Sequence, residues 1–321
     1  MREAAGPAGP GRGDAGGPAE PGHRGGPGRA GRRRGGAMMK VEGVLAVTPQ
    51  GEYLRVREVW EENLEHEIKL IRNLVEEYPL VAMDTEFPGI VARPVGNFKN
   101  SHEYQYQTLR CNVDMLKLIQ LGLTLCDDQG GLPKVNGELS VWQFNFKEFN
   151  LEKDMYAQDS IDLLKQSGIN FEENEKRGIK VEHFGELLMT SGVVLNDDVQ
   201  WITFHCGYDF GYLLKVLTCK PLPENEGDFF ETLRIYFPQI YDMKYLMKFC
   251  DSLHGGLNKL AEVLEVERIG PQHQAGSDSL LTGLTFLKLV EKYFTKKRVE
   301  QHVGVLYGFE EASQAANSAG G

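Results

Sequence analysis

The chain has 321 residues, 41% of them hydrophobic, and a formal net charge of −11, enough apolar content to build the core of one large domain or two small ones. No apolar run is long enough to span a bilayer and the N-terminus has no apolar signal-peptide core, so no membrane partner and an intracellular setting are expected. Cys111, Cys126, Cys206, Cys219 and Cys250 form an odd, scattered set without a Cys-x-x-Cys, which argues against a disulfide framework or a thiolate zinc site.

Residues 1–37 carry seven arginines against Glu3, Asp14 and Glu20, about +4, so the body of the chain sits near −15. Gly, Pro, Ala and Arg dominate here and almost nothing is large and apolar, so residues 1–39 are expected to be a disordered tail. Met38 and Met39 stand where the composition changes and offer an alternative start. A body this acidic should not bind long duplexes nonspecifically, but it can process a strand fed end-first to metal ions that neutralise the phosphates.

From Val56 to Tyr78, Val59, Trp60, Leu64, Ile68, Ile71, Leu74 and Val75 recur at helical spacing and predict one amphipathic helix. It leads into Leu80 to Phe87, Leu-Val-Ala-Met-Asp-Thr-Glu-Phe, a strand-length apolar run ending in Asp84 and Glu86. Two residues apart on a strand, both carboxylates point to one side of a sheet. Such crowded like charges are costly unless a cation lies between them, and hard oxygen ligands suit Mg²⁺ or Mn²⁺ better than zinc. Pro88 to Val113 then reads as a long loop, with Arg93, Lys99, Tyr104, Tyr106 and Arg110 able to stack on bases and hold phosphates, or equally to be surface side chains packed on a neighbouring helix.

Leu116 to Cys126 and Leu139 to Phe146 alternate strongly around the turn chemistry of Asp127 to Gly137 and predict a hairpin. Helices follow at Asp159–Gln166, Val181–Ser191 and Tyr208–Thr218, with a short strand, Trp201–Cys206, before the last of these. Asp228–Phe237, Leu257–Leu264 and Ser279–Phe294 are predicted as further helices and Ile240–Asp242 as a brief strand. Three strands and then alternating strands and helices imply an α/β fold, a mixed sheet covered by helices on both faces. Periodicity fades from Lys296, and the end of the chain is expected to fray.

Two further acids complete a pattern. Asp209 lies in Phe204-His205-Cys206-Gly207-Tyr208-Asp209, at a strand-to-helix turn where α/β sheets place ligand-binding groups, and Asp278 opens the last long helix five residues after His273. Each alone is more ordinarily a helix cap. In this order they form the acidic signature of proofreading-type exonucleases, the DEDD group in its histidine variant. Four carboxylates there hold two divalent ions, and the histidine can take a proton from the attacking water.

Around these residues the chain resembles the Caf/Pop-type deadenylase subunit of the Ccr-Not complex. Met-Asp-Thr-Glu-Phe-Pro-Gly at 83–89, Phe-His-x-Gly-Tyr-Asp-Phe-Gly-Tyr-Leu at 204–213, Ile-Tyr-Asp-x-Lys-Tyr-Leu-Met-Lys at 240–248 and Gly-Pro-Gln-His-Gln-Ala-Gly-Ser-Asp-Ser-Leu-Leu-Thr-Gly at 270–283 carry it. Asp-Met-Tyr-Ala-Gln-Asp-Ser at 154–160 and Glu-Leu-Leu-Met-Thr-Ser-Gly at 186–192 extend it. The resemblance implies a ribonuclease H-like fold and a Mg²⁺-dependent 3′ exoribonuclease that shortens mRNA poly(A) tails, releasing 5′-AMP. By the same resemblance Asp84, Glu86, Asp209 and Asp278 are metal ligands for two Mg²⁺ or Mn²⁺ ions and His273 is the general base. Partners implied are the poly(A) tail, the Not scaffold subunit and a second deadenylase, in the cytoplasm and also the nucleus. The catalytic domain is expected over 40–306, with 307–321 a frayed tail. The alternatives are an exonuclease acting on other RNA or DNA 3′ ends, and a catalytically silent scaffold subunit.

Overall fold

Apolar and polar side chains alternate over much of 53–59, 120–126 and 138–145, and 80–86 is an apolar run ending in polar residues, so each forms a strand whose pairing buries its backbone. The computed structural model describes residues 44–47 and 51–319, so the tail expected at 1–39 lies outside the described residues. In chain order the elements are β1 (Val44–Val47), β2 (Tyr53–Val59), α1 (Leu64–Leu74), β3 (Leu80–Glu86), α2 (Ser101–Met115), β4 (Gln120–Cys126), β5 (Lys134–Val135) and β6 (Glu138–Asn145). Next come α3 (Gln158–Gln166), α4 (Phe171–Arg177), α5 (Val181–Met189), β7 (Gln200–Thr203), α6 (Gly207–Thr218), α7 (Glu226–Tyr236) and β8 (Gln239–Asp242). The chain continues through α8 (Met243–Leu246), α9 (Leu257–Val263), α10 (Ala275–Tyr293), α11 (Lys296–Glu300) and α12 (Glu310–Ala319). Among the described residues the strands form one mixed sheet in the order β1-β2-β6-β4-β3-β7-β8, with β5 on β6.

The interior strand β3 runs antiparallel to β4 and parallel to β7. Its odd-numbered Val81 and Met83 belong to the larger core, shared with Leu121, Leu123, Trp142, Phe144 and residues of α1, α2, α5 and α6. Ala82 belongs to the core on the opposite face, with Phe286 and Leu289 of α10. Each fully buried aliphatic or aromatic side chain contributes about 1.5–3 kcal/mol of burial, so both faces are sealed strongly and the strand register is firmly set. Asp84 and Glu86 follow Ala82 at period two, and therefore lie on the α10 face.

Several expectations are corrected. The helix predicted over Val56–Tyr78 begins at Leu64, because Tyr53–Val59 alternates and pairs in parallel with β6, burying Leu54, Val56 and Val59. Two strands thus precede β3, where none was expected. The loop predicted over Pro88–Val113 holds α2, capped by the Asn100 side chain on Glu103 N and burying Tyr106, Leu109, Asn112 and Val113. Tyr106, read as a base-stacking candidate, is a core residue whose hydroxyl donates to Pro223 O (2.6 Å). The short helix α4 was not predicted. The frayed end is instead packed: Tyr307 N donates to the buried Asp242 carboxylate (3.0 Å), Phe309 joins the main core and α12 lies against α7. Among the described residues no helix is long and apolar enough to cross a membrane.

Among the described glycines, Gly122 leaves the least room, where α10 meets the sheet. A Cβ at Gly122 would collide with Ala275 O and C and lie 2.7 Å from Gly276 N. Gly122→Ala is expected to destabilise by about 3 kcal/mol or more, since backbone must move to admit the methyl. Gly256→Ala, where a Cβ meets nothing within 4 Å, should be close to neutral; urea unfolding of the two variants checks the contrast.

Candidate metal centre

Strand β7 ends at Thr203 and pairs with β3 only through Ala82, so beyond that point the facing edge of β3 is open. Its Thr85 N–H would otherwise lack a ladder partner, and Asp209, in the first turn of α6, supplies one. Asp209 Oδ1 accepts from Thr85 N (3.1 Å) and from Thr85 Oγ1. Thr85 points to the α6 face while Asp84 and Glu86 point to the α10 face, so the acids reach β3 from both sides of the sheet.

On the α10 face, Glu86, His273 and Asp278 each offer a ligand atom, and these atoms lie within 4.8 Å of one another. Asp278 is the fourth residue of α10 and is only 5% exposed. Its Oδ2 accepts from His273 N (2.8 Å) and its Oδ1 pairs with Arg268 Nη2 (2.6 Å). The same guanidinium reaches Asn258 Oδ1 (2.6 and 2.9 Å) and Pro271 O (3.3 Å), tying the loop before α10 to α9. His273 has φ +61°, a left-handed conformation that few non-glycine residues adopt, though histidine does so more often than most.

All the predicted site residues therefore lie around the C-terminal end of β3, but not in one equivalent ring. Glu86, His273 and Asp278 converge; Asp84 stands one pleat back on the same face; Asp209 is committed through one oxygen to Thr85. The expected helix start at Ser279 moves to Ala275, so Asp278 lies inside the helix and reaches back along the chain instead of capping from outside. Thr85, Arg268 and Asn258 were not singled out in the sequence. Thr85 carried a signal in standing between the two acids, whereas the pairing of Arg268 with Asp278 depends on a loop path that periodicity does not reveal.

Burial raises the Asp209 carboxyl to about 6, against the hydrogen bonds from Thr85 that lower it, and Asp242 adds to the rise. Buried Asp242 is raised by burial too, while N–H groups of Tyr307, His205 and Lys244 oppose the shift. Hard carboxylate oxygens gathered under burial, with one imidazole in reach, fit a divalent ion such as Mg²⁺ or Mn²⁺, whose charge would relieve this cost.

Acids clustered at the end of an interior strand of a mixed α/β sheet, faced by an acidic helix start and a histidine, make a candidate divalent-metal centre. The profile described as "CAF1 family ribonuclease" matches residues 59–183 and 193–286. "Probable CCR4-associated factor 1 homolog 7" of Arabidopsis thaliana is 61% identical over 257 residues, 79% of this chain and 93% of that protein. "Poly(A) ribonuclease pop2" of Schizosaccharomyces pombe is 52% identical over 253 residues, 79% of this chain and 74% of that protein. The S. pombe Pop2p structure with Mg²⁺ and Mn²⁺ bound superposes with a TM-score of 0.75 and 52% identity, covering 79% of this chain and 99% of that one. Yeast CAF1 co-crystallized with the NOT1 MIF4G domain gives a TM-score of 0.65 at 38% identity, covering 78% and 96%. The chain belongs to the CAF1 family of ribonucleases.

The raised Asp209 has a signed consequence. The folded state holds this proton more tightly than the unfolded state, where the group titrates near about 3.9. Stability of the metal-free protein is therefore lost as pH rises from about 4 to about 6 and stays lost above. Asp209→Asn keeps an acceptor for Thr85 and removes the charge. In EDTA it should melt above wild type at pH 7.5, the gap closing toward pH 4; a lower melting temperature at pH 7.5 would show that the charge is not the cost.

Proposed function

We propose that the chain is a 3′-to-5′ exoribonuclease that shortens mRNA poly(A) tails and releases 5′-AMP, with Asp84, Glu86, Asp209 and Asp278 holding two Mg²⁺ or Mn²⁺ ions and His273 as general base. The observation that carries this reading is the convergence of Glu86, His273 and Asp278 on the face of β3 that also bears Asp84. When bound, the ions would clamp the attacking and leaving oxygens of an in-line displacement at phosphorus.

The chain's own residues supply the rest. His273, held on the α10 side, accepts the proton of the attacking water. Thr85 fixes one oxygen of Asp209, and Arg268 orients Asp278. A body near −15 repels a bare polyanion, so phosphates enter where cations balance the acids. Selection of adenine falls to stacking and pocket shape around the 3′ end. The names of the Arabidopsis and S. pombe relatives support the poly(A) substrate and an association with a second deadenylase of the CCR4 kind, and yeast CAF1 bound to NOT1 supports a scaffold partner. Action within that machinery supports a cytoplasmic setting, and also a nuclear one. The contacts of Tyr307 and Phe309 support extending the catalytic domain, expected over 40–306, beyond 306.

Purified protein with Mg²⁺ should trim a 5′-labelled RNA stepwise through its A tail and stall at the body, while matched U, C and DNA tails persist. Equal trimming of all tails would favour an exonuclease for general 3′ ends, and no trimming with any divalent ion would favour a silent scaffold subunit. Glu86→Gln should weaken Mn²⁺ binding measured by calorimetry and remove turnover together. His273→Ala should slow turnover by about 10²-fold or more, the usual contribution of a general base, and largely spare Mn²⁺ affinity; collapse of metal binding would make His273 a ligand instead.

A further inference from the structure

The proposed base, His273, sits in a backbone conformation that surroundings must over-determine if it is to persist. Both of its main-chain polar groups are held by side chains. Its N–H donates to Asp278 Oδ2 (2.8 Å), and its carbonyl lies 2.8 Å from Ser167 Oγ at the C-terminal end of α3; the one hydroxyl proton of Ser167 is shared between this carbonyl and Leu164 O (2.7 Å). The next residue closes the ring: Gln274 Nε2 donates to Ser167 O (3.1 Å), while Gln274 Oε1 accepts from Gln143 Nε2 (2.8 Å).

The sheet side of this ring is itself fixed. Gln143 Nε2 also faces Glu58 (3.1 Å), and its Oε1 accepts from Gly276 N (2.8 Å), so the amide has a single sensible orientation. Asn145 Nδ2 donates to Glu58 Oε2 (2.8 Å), and Gln120 Nε2 donates to Asn145 Oδ1 (2.7 Å). Gln274 therefore has its oxygen toward the sheet and its nitrogen toward α3.

Helix α3 stands on a small core of its own, built by Ile161 and Leu164 with Ile119, Phe149, Ile169 and Phe171. Its other end is tied to the loop that leaves Glu86: Ala157 N donates to Pro88 O (2.9 Å). Gly89, at φ +90°, leaves room there for Ser160, whose Cβ a side chain would approach within 3.0 Å. One helix thus touches both the loop after the β3 acids and the loop that carries the histidine.

We propose that Ser167 and Gln274 are positioning residues for His273, and that α3 is the strut through which the two loops of the site are held in register. The proposal rests on the reading of His273 as the base. Neither residue lies among the proposed ligands, so loss of either should displace the imidazole without emptying the metal site.

The test uses the full chain with Mg²⁺ and A-tailed RNA, comparing Ser167→Ala, Ser167→Thr and Gln274→Ala. Ser167→Ala should lower kcat about tenfold, the scale of lost outer-shell support, with KM within about twofold and Mn²⁺ affinity unchanged by calorimetry. Ser167→Thr, which retains the hydroxyl, should recover most of kcat. In the absence of RNA and metal, hydrogen exchange over residues 270–274 should quicken in Ser167→Ala and not in Ser167→Thr. Gln274→Ala should give the same kcat signature, and stands in if Ser167→Ala does not fold. Unchanged kcat and exchange in Ser167→Ala would overturn the proposal, as would a loss that Thr does not rescue. If wild type shows no nuclease activity, the functional reading fails, while the exchange comparison still decides whether Ser167 holds the loop.

Discussion

The site depends on how closely the start of α10 can approach the sheet. Glu86 is on a strand and His273 and Asp278 are on a loop and helix nearly two hundred residues later, so their ligand atoms meet only if backbone touches backbone at Gly122. Nothing larger than glycine fits between β4 and Ala275. Around that contact the apolar packing of Ala82 and Phe286 gives way to amides, with Gln120, Gln143 and Asn145 replacing the leucines that occupy the opposite face. Buried amides are costly unless every donor and acceptor is used. Here Gln120 and Gln143 hold the N–H groups of Ala275 and Gly276 and the side chain of Gln274, so the desolvation cost turns into positional precision beside the acids.

Charge is handled by separate anchors. Asp209 belongs to Thr85 through one oxygen, and Asp278 to Arg268 and the His273 N–H. Fixing each carboxylate individually lets like charges stay close without one carboxylate rotating away from another. Burial still raises Asp209, a cost that a divalent ion at the site would relieve.

Much of the fold was legible because the strong signals are local. The two strands around 120–126 and 138–145 and the helices α3, α5, α6, α7, α9 and α10 were read from alternation and helical spacing, while the five proposed site residues were named from the order of acids and histidine and from the family resemblance. The failures share a cause. Tyr53–Val59 places hydrophobic residues compatible with either period, and its parallel pairing with β6 is a partner choice that local pattern does not contain. Ser101–Met115 looked like a loop because tyrosines and arginines suggested an RNA surface, while its actual cue was the Asn100 cap. The end of the chain looked loose because α12 is small and polar, but Phe309 and Ser313 are buried against the body.

By itself the sequence determined which residues could do chemistry. Carboxylates at period two on a strand share a face, and an acid or histidine keeps its chemistry wherever the chain goes. Only the tertiary structure decided which of them meet. The early end of β7 opens the Thr85 N–H to Asp209, and the seat of α10 at Gly122 brings Asp278 and His273 to Glu86. Ser167 and Gln274 acquire a role because α3 lies across both loops. These are long-range contacts set by where strands stop and how closely backbones pack, and no local period encodes either.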